Sequence, residues 1–154
     1  MKIKIYIIIL SYLLYTGVAW GKEIRWDDLV QAVIQVESNG NPNAVSDNGN
    51  TIGLMQIHLC GAYREYNMEN GPYDGYNYYT PRDLYNPFIN IKIGTWYLHR
   101  LHDHYGCDTI EKILMAYNGG ITHAKKVNFN LNKMPQETRN YVSKVIKLYN
   151  KEAK

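Results

Sequence analysis

No strand-like alternation of useful length and no internal repeat runs through this chain, so an all-β or solenoid architecture is excluded. Cysteine is scarce, with Cys60 and Cys107 the only two in 154 residues. No third His or Cys falls at a recognisable ligand spacing beside His99 and His102, so no metal site is expected. His58, His104 and His123 add nothing to them, and all five histidines read as polar-face residues. Excess charge is lacking too. Of the 17 basic residues two, Lys2 and Lys4, precede the first apolar run, leaving 15 against 14 acids. A nucleic-acid footprint needs a concentrated basic face, so no nucleic-acid partner is expected. Tyrosine, by contrast, is abundant, at 15 residues. A tyrosine-rich surface suits a ligand such as a sugar chain, because the ring stacks while the hydroxyl hydrogen-bonds.

The apolar run from Ile5 to Leu14 is too short for a spanning helix, which needs about 20 residues. With Lys2 and Lys4 before it and Thr16, Gly17, Ala19 and Gly21 after it, residues 1–21 read as a secretory signal peptide. Cleavage is expected in Ala19-Trp20-Gly21, with Gly17-Val18-Ala19 as competitor. No cysteine stands near the junction, which argues against a lipid anchor. The mature chain, residues 22–154, is then one exported domain without a permanent membrane anchor, long enough for a real core. Its compartment is periplasmic or extracellular. In an oxidising compartment Cys60 and Cys107 are candidates for a disulfide.

Apolar residues at Leu29, Val30, Val33, Ile34 and Val36 predict a helix over 26–37, with Asp27 and Asp28 at its favourable end. Glu37 stands at the opposite end, where the dipole and apolar neighbours disfavour its ionisation. The segment from Gly53 to about Tyr63 reads as a second, short helix carrying Leu54, Met55 and Ile57 inward. Gly61 to Thr80, with six tyrosines and no period, reads as a long ordered loop lining a cleft. Asn86-Pro87 caps a helix that buries Phe88, Ile91, Trp96, Tyr97, Leu98 and Leu101 up to Tyr105, where Gly106 stops it. Asp108-Thr109-Ile110-Glu111 has capping-box spacing before a stripe of Ile110, Ile113, Leu114 and Tyr117. A short helix around 122–127 follows. A last one, after Pro135, buries Tyr141, Val142, Val145, Ile146 and Tyr149. The domain is mainly helical, with little or no sheet.

Five motifs occur in order: Glu37-Ser38 with Asn41-Pro42-x-Ala44-x-Ser46; Gly53-Leu54-Met55-Gln56-Ile57; Pro87-x-x-Asn90-Ile91-x-x-Gly94-x-x-Tyr97-Leu98; Ala116-Tyr117-Asn118-Gly119-Gly120; and Pro135-x-Glu137-Thr138-x-x-Tyr141-Val142. Together they resemble the soluble lytic transglycosylase family, whose domain has a lysozyme-like α+β fold with a cleft. The resemblance runs from about residue 26 to 149. It implies that Glu37 is the single catalytic acid and base. It further implies that Ser38, Ser46, Met55, Gln56, Tyr117, Asn118 and Tyr141 surround the substrate, with Tyr117 and Asn118 facing the carboxyl and Tyr141 hydrogen-bonding near it. The implied substrate is the peptidoglycan glycan strand, cut between N-acetylmuramic acid and N-acetylglucosamine with formation of a 1,6-anhydro ring. No cofactor is implied.

The residues leave rivals open. Most glycosidases use a second carboxylate, and Asp47, in the Ser46-Asp47-Asn48-Gly49 turn, is the nearest downstream candidate, though it reads better as a turn-forming residue. A lysozyme-type hydrolase on the same fold would use Asp47 or another carboxylate to position water. A non-catalytic glycan-binding or assembly module is the rival from another class. The small size and lack of a separate binding domain fit an enzyme recruited to a secretion, conjugation or pilus apparatus, as well as one of general wall turnover.

Overall fold

A computed structural model of the chain describes residues 23–71 and 79–151. The expected signal peptide and the middle of the tyrosine-rich stretch lie outside the described residues. Helix α1 (Trp26–Ser38) buries Leu29, Val30, Ala32, Val33 and Ile34, a stripe close to the expected one. It ends at Asn39, whose left-handed backbone (φ 52°) and the following Gly40 (φ 78°) turn the chain out of the helix. Its start is tied to the far end of the chain. The Arg25 backbone N–H donates to the Tyr149 hydroxyl at 3.1 Å, and the guanidinium donates to the Tyr149 carbonyl at 2.8 Å.

The first part of the segment expected to be a second helix is instead a small antiparallel hairpin, and only its end, Leu59–Tyr63, is helical. Strands β1 (Thr51–Ile52) and β2 (Ile57–His58) pair Thr51 with His58 and Ile52 with Ile57. Gly53 (φ 83°) and Gln56 (φ 45°) both take the left-handed backbone. Two such residues within four break helical continuity, which is why the apolar spacing of Leu54, Met55 and Ile57 misled.

The tyrosine-rich stretch is also more regular than expected. A π-helical turn, Leu59–Tyr63, leads directly into helix α2, Arg64–Asn70. Two of its described tyrosines serve packing: Tyr66 is buried against Trp96, with ring centroids 5.2 Å apart, and the Tyr63 hydroxyl donates to the Tyr79 carbonyl at 2.6 Å. A 3-10 turn, Pro81–Tyr85, precedes the long helix α3, Pro87–Asp103. Asn86 caps α3 as expected, accepting from the Phe88 N–H at 2.9 Å. Phe88 itself is 76% exposed, against expectation. The buried stripe of α3 runs through Asn90, Ile93, Gly94, Tyr97, Leu98 and Leu101, rotated off the Phe88 face.

Helices α4 (Ile110–Gly119), α5 (Ile121–Lys126) and α6 (Gln136–Lys151) complete the domain, with a 3-10 turn at Leu131–Lys133. The cap of α4 is Thr109, one residue later than the capping box suggested; Asp108 pairs with Lys112 instead, at 2.7 Å. Helix α6 packs against both α1 and α4, and α3 lies across α4. The core sits between these helices and the hairpin, with Leu29, Met55, Leu84, Leu98, Leu114 and Val145 among its fully buried members. Cys60 is exposed and Cys107 buried, and both are free thiols, so the expected disulfide is not formed. No helix among the described residues is long and apolar enough to cross a membrane.

Candidate active site

A groove runs over the ends of α1 and α4. Its central basin, about 340 Å³, is lined among others by Glu37, Ser46, Gln56, His58, Tyr117, Asn118 and Glu137. Two further basins open from it. One, about 370 Å³, shares Gln56, His58, Tyr117 and Asn118 and continues past Cys60, Ala62 and Tyr97. The other, about 270 Å³, shares Glu37, Asn118 and Glu137 and continues past Asn140, Tyr141 and Lys144 of α6. Glu37 thus stands where two basins meet.

Position within α1 explains the state of that carboxyl. Glu37 is one residue from the helix end and half-buried, so it loses water without gaining a cation. Burial pushes its pKa up from 4.5 to about 7; a hydrogen bond from Tyr141 opposes this, and the Glu137 charge adds to it. The Tyr141 hydroxyl is buried and falls short of full hydrogen-bond geometry with any acceptor, so its support of the carboxylate is weak. Burial and the Glu37 charge together hold the Tyr117 and Tyr141 phenols well above the usual range, so both remain protonated donors.

The wall opposite Glu37 is the hairpin, held from below by three helices. The Ser38 hydroxyl donates to the Leu54 carbonyl at 2.8 Å, with the Ile34 carbonyl a second acceptor at 3.2 Å. The Tyr117 hydroxyl donates to the Met55 carbonyl at 2.9 Å. Asn90, fully buried, accepts from the Met55 N–H and donates to the carbonyls of Ile52 and Leu84, each at 2.8 Å. A side chain at Gly53 would collide with that amide, so this position is closed to anything larger than glycine. Gln56 braces the hairpin from within: its amide NH₂ donates to the Ala44 and Gly53 carbonyls, and its Oε1 accepts from Thr51.

The expected site residues therefore divide. Glu37, Ser46, Gln56, Tyr117 and Asn118 line the central basin, and Tyr141 lines the adjoining one. Ser38 and Met55 do not line these basins. Met55 is fully buried and packs over Gly94, where any side chain would strike its sulfur, and Ser38 gives its hydroxyl to the chain. Both act on the groove through its scaffold. Asp47 is absent from the lining, whereas its neighbours Ser46 and Asn48 share the central basin. Residue-by-residue reading missed His58, Glu137 and Lys144. Glu137 stood inside a quoted motif, and its place one turn before Tyr141 on a common helix was the available signal. The His58 Nδ1 accepts from the Cys60 N–H at 3.1 Å, which fixes its ring beside the central basin. His99 is stacked on Trp26 with centroids 3.8 Å apart, and His102 meets Asp103 at 2.5 Å. No group of three or more His, Cys, Asp or Glu side chains is placed to hold a metal ion among the described residues.

Comparison with known proteins adds to this geometry. The profile of the Transglycosylase SLT domain family matches residues 17–150. The fold superposes on the crystal structure of the 70 kDa soluble lytic transglycosylase SLT70 from Escherichia coli with a TM-score of 0.68 and 31% sequence identity. That alignment covers 84% of this chain and 22% of the other, so the chain spans less than a quarter of that protein's length. The lysozyme-like architecture expected from the motifs is the one observed. Since the matched residues take in every helix from α1 to α5 and nearly all of α6, the chain belongs to the transglycosylase SLT domain family.

Proposed function

We propose that this chain is a peptidoglycan lytic transglycosylase, exported by its first 21 residues, with Glu37 as its only catalytic acid and base. The observation that carries the reading is the half-buried Glu37 carboxyl, with its pKa pushed up to about 7 at the meeting point of two basins. Glycosidic cleavage needs a carboxyl that still holds its proton near neutrality and sits within a sugar-sized groove.

The reaction balances without water. Glu37 gives its proton to the oxygen joining N-acetylmuramic acid to N-acetylglucosamine, and the bond from that oxygen to the muramyl C1 breaks. The muramyl acetamido oxygen stabilises the positive charge left at C1. Glu37, now a carboxylate, takes the proton of the muramyl 6-hydroxyl as its oxygen bonds to C1, closing the 1,6-anhydro ring. Asn118 and the Tyr141 phenol, held protonated, supply hydrogen-bonding groups around the carboxyl, while Tyr117, its proton given to the Met55 carbonyl, holds the groove wall beside it. Ser46 and Gln56 contribute the facing wall.

A second reading is favoured by one observation. Glu137 lines both basins that contain Glu37, so a second carboxylate is available to activate water, as hydrolytic glycosidases require. Asp47 has lost that place. Digestion of purified peptidoglycan, followed by mass analysis of the products, separates the two. Anhydro ends, lighter by one water than reducing ends, are expected from wild type and not from Glu37→Gln. Reducing ends alone would replace the transglycosylase with a hydrolase. If the wild type released nothing while still binding glycan, the chain would be a non-catalytic module. Recruitment to a secretion, conjugation or pilus apparatus goes with this proposal; co-purification with such an assembly tests it.

A further inference from the structure

The groove is chemically lopsided. The basin past Cys60, Ala62 and Tyr97 carries no carboxylate or ammonium group, whereas the basin on the α6 side carries Glu137 and Lys144. Glu137, Asn140 and Lys144 belong to one face of α6, and that face continues beyond the groove. Lys147 and Lys151 follow Lys144 at i+3 and i+7, so the three ammonium groups form a row about 10 Å long, exposed throughout. Charge is concentrated in this part of the chain. From residue 120 to 151 there are seven basic residues and one acid, Glu137. None of the three row lysines enters an ion pair among the described residues. From Lys144 to Lys151 this face has no acid to neutralise it, and a lysine row that starts at a substrate groove has the form of a binding track for a repeating anion.

We propose that Lys144, Lys147 and Lys151 bind the carboxylates of the stem peptides carried by the glycan strand, so that α6 extends the groove from sugar recognition to peptide recognition. This rests on the reading of the chain as a peptidoglycan transglycosylase. The stem peptides are the anionic groups attached to the muramyl sugars, next to the bond being cut. A strand bound across Glu37 carries them along the groove, and the α6 side is the one that leads out of it onto the row of lysines unpaired among the described residues.

The test compares two substrates with wild type and with Lys144→Gln/Lys147→Gln/Lys151→Gln: peptide-bearing glycan strands, and the same strands stripped of peptide by an amidase. The reading is the ratio of kcat/KM on the two. Wild type is expected to prefer peptide-bearing strands, and the triple variant to lose about tenfold of that preference, mainly through KM. Added salt should erode the wild-type preference in the same direction. Lys144→Glu/Lys147→Glu/Lys151→Glu should reverse it. Circular dichroism and thermal melting confirm that the exposed substitutions leave the fold intact. Equal ratios for wild type and variants would overturn the inference and leave the transglycosylase reading standing. Absence of anhydro product from wild type on both substrates would overturn that reading instead.

Discussion

Asn90 and Met55 lie 35 positions apart in sequence and are joined by a buried hydrogen bond, the Met55 N–H donating to the Asn90 side-chain oxygen at 2.8 Å. The same side chain's NH₂ holds the carbonyls of Ile52 and Leu84, so one residue of α3 fixes the groove wall to the core. Asn90→Ala leaves one N–H and two carbonyls without partners in a dry interior. A loss of about 3 kcal/mol in denaturant unfolding is expected. A loss below about 1 kcal/mol would mean that the hairpin is held by other contacts.

The pH behaviour of Glu37 is a second expectation. The folded carboxyl keeps its proton up to about 7, whereas an ordinary glutamate releases it near 4.5. The folded state thus binds more protons between those values. Glu37 therefore takes stability away progressively as pH rises from 4.5 to 7, and the loss stays constant above. Glu37→Gln should accordingly be more stable than wild type by roughly 2 kcal/mol at pH 8, and equal to it at pH 4. Activity of the wild type should fall as pH rises through about 7, because in the proposed mechanism the acid form delivers the proton. Melts at the two pH values and a pH–rate profile check both halves. A constant offset between the variants would contradict the assignment.

Glu137 acts on Glu37 through space, its negative charge resisting ionisation of the buried carboxyl. Glu137→Gln should shift the alkaline limb of the activity profile to lower pH without abolishing turnover. Complete loss of turnover in this variant would instead make Glu137 a catalytic partner, in favour of the hydrolase.

The two thiols should behave differently in the native protein. Cys60 is exposed on the groove, and Cys107 is fully buried, with burial pushing its thiol pKa up. One thiol should react promptly with a disulfide reagent in native buffer and two after unfolding. A bulky maleimide on Cys60 should slow strand cleavage, because that residue lines a basin joined to the one containing Glu37. Zero reactive thiols in the native protein would show a disulfide after all.

Helical elements were legible in the sequence wherever one apolar period ran unbroken. The stripe Leu29–Ile34 and the cap Asn86-Pro87 each predicted an element within two residues of its observed bounds. The hairpin was not, because its strands are two residues each and its shape depends on left-handed backbone at Gly53 and Gln56. Two-residue strands leave no alternation to find. The tyrosines of 61–70 were misassigned for a related reason: composition suggested a sugar surface, while Tyr63 and Tyr66 in fact hold α2 to its neighbours. At the site, motif matching brought Glu37, Tyr117, Asn118 and Tyr141 into one groove. It could not tell a residue that lines the groove from one that braces it, which is how Ser38 and Met55 were read as substrate contacts. That distinction depends on rotamer and depth, which spacing does not encode.

The contact between Arg25 and Tyr149 spans 124 positions and places the first described helix against the last. Tyr141 and Glu137, two of the groups that set the strength of the Glu37 acid, both ride on α6. The first helix emerges early in synthesis and carries an ordinary glutamate; its burial is completed, and its acidity tuned, by Glu137 and Tyr141 from the other end of the described chain. On the proposed reading, a nascent or unfolded chain has no cutting site, and the site is completed only when the final helix has docked.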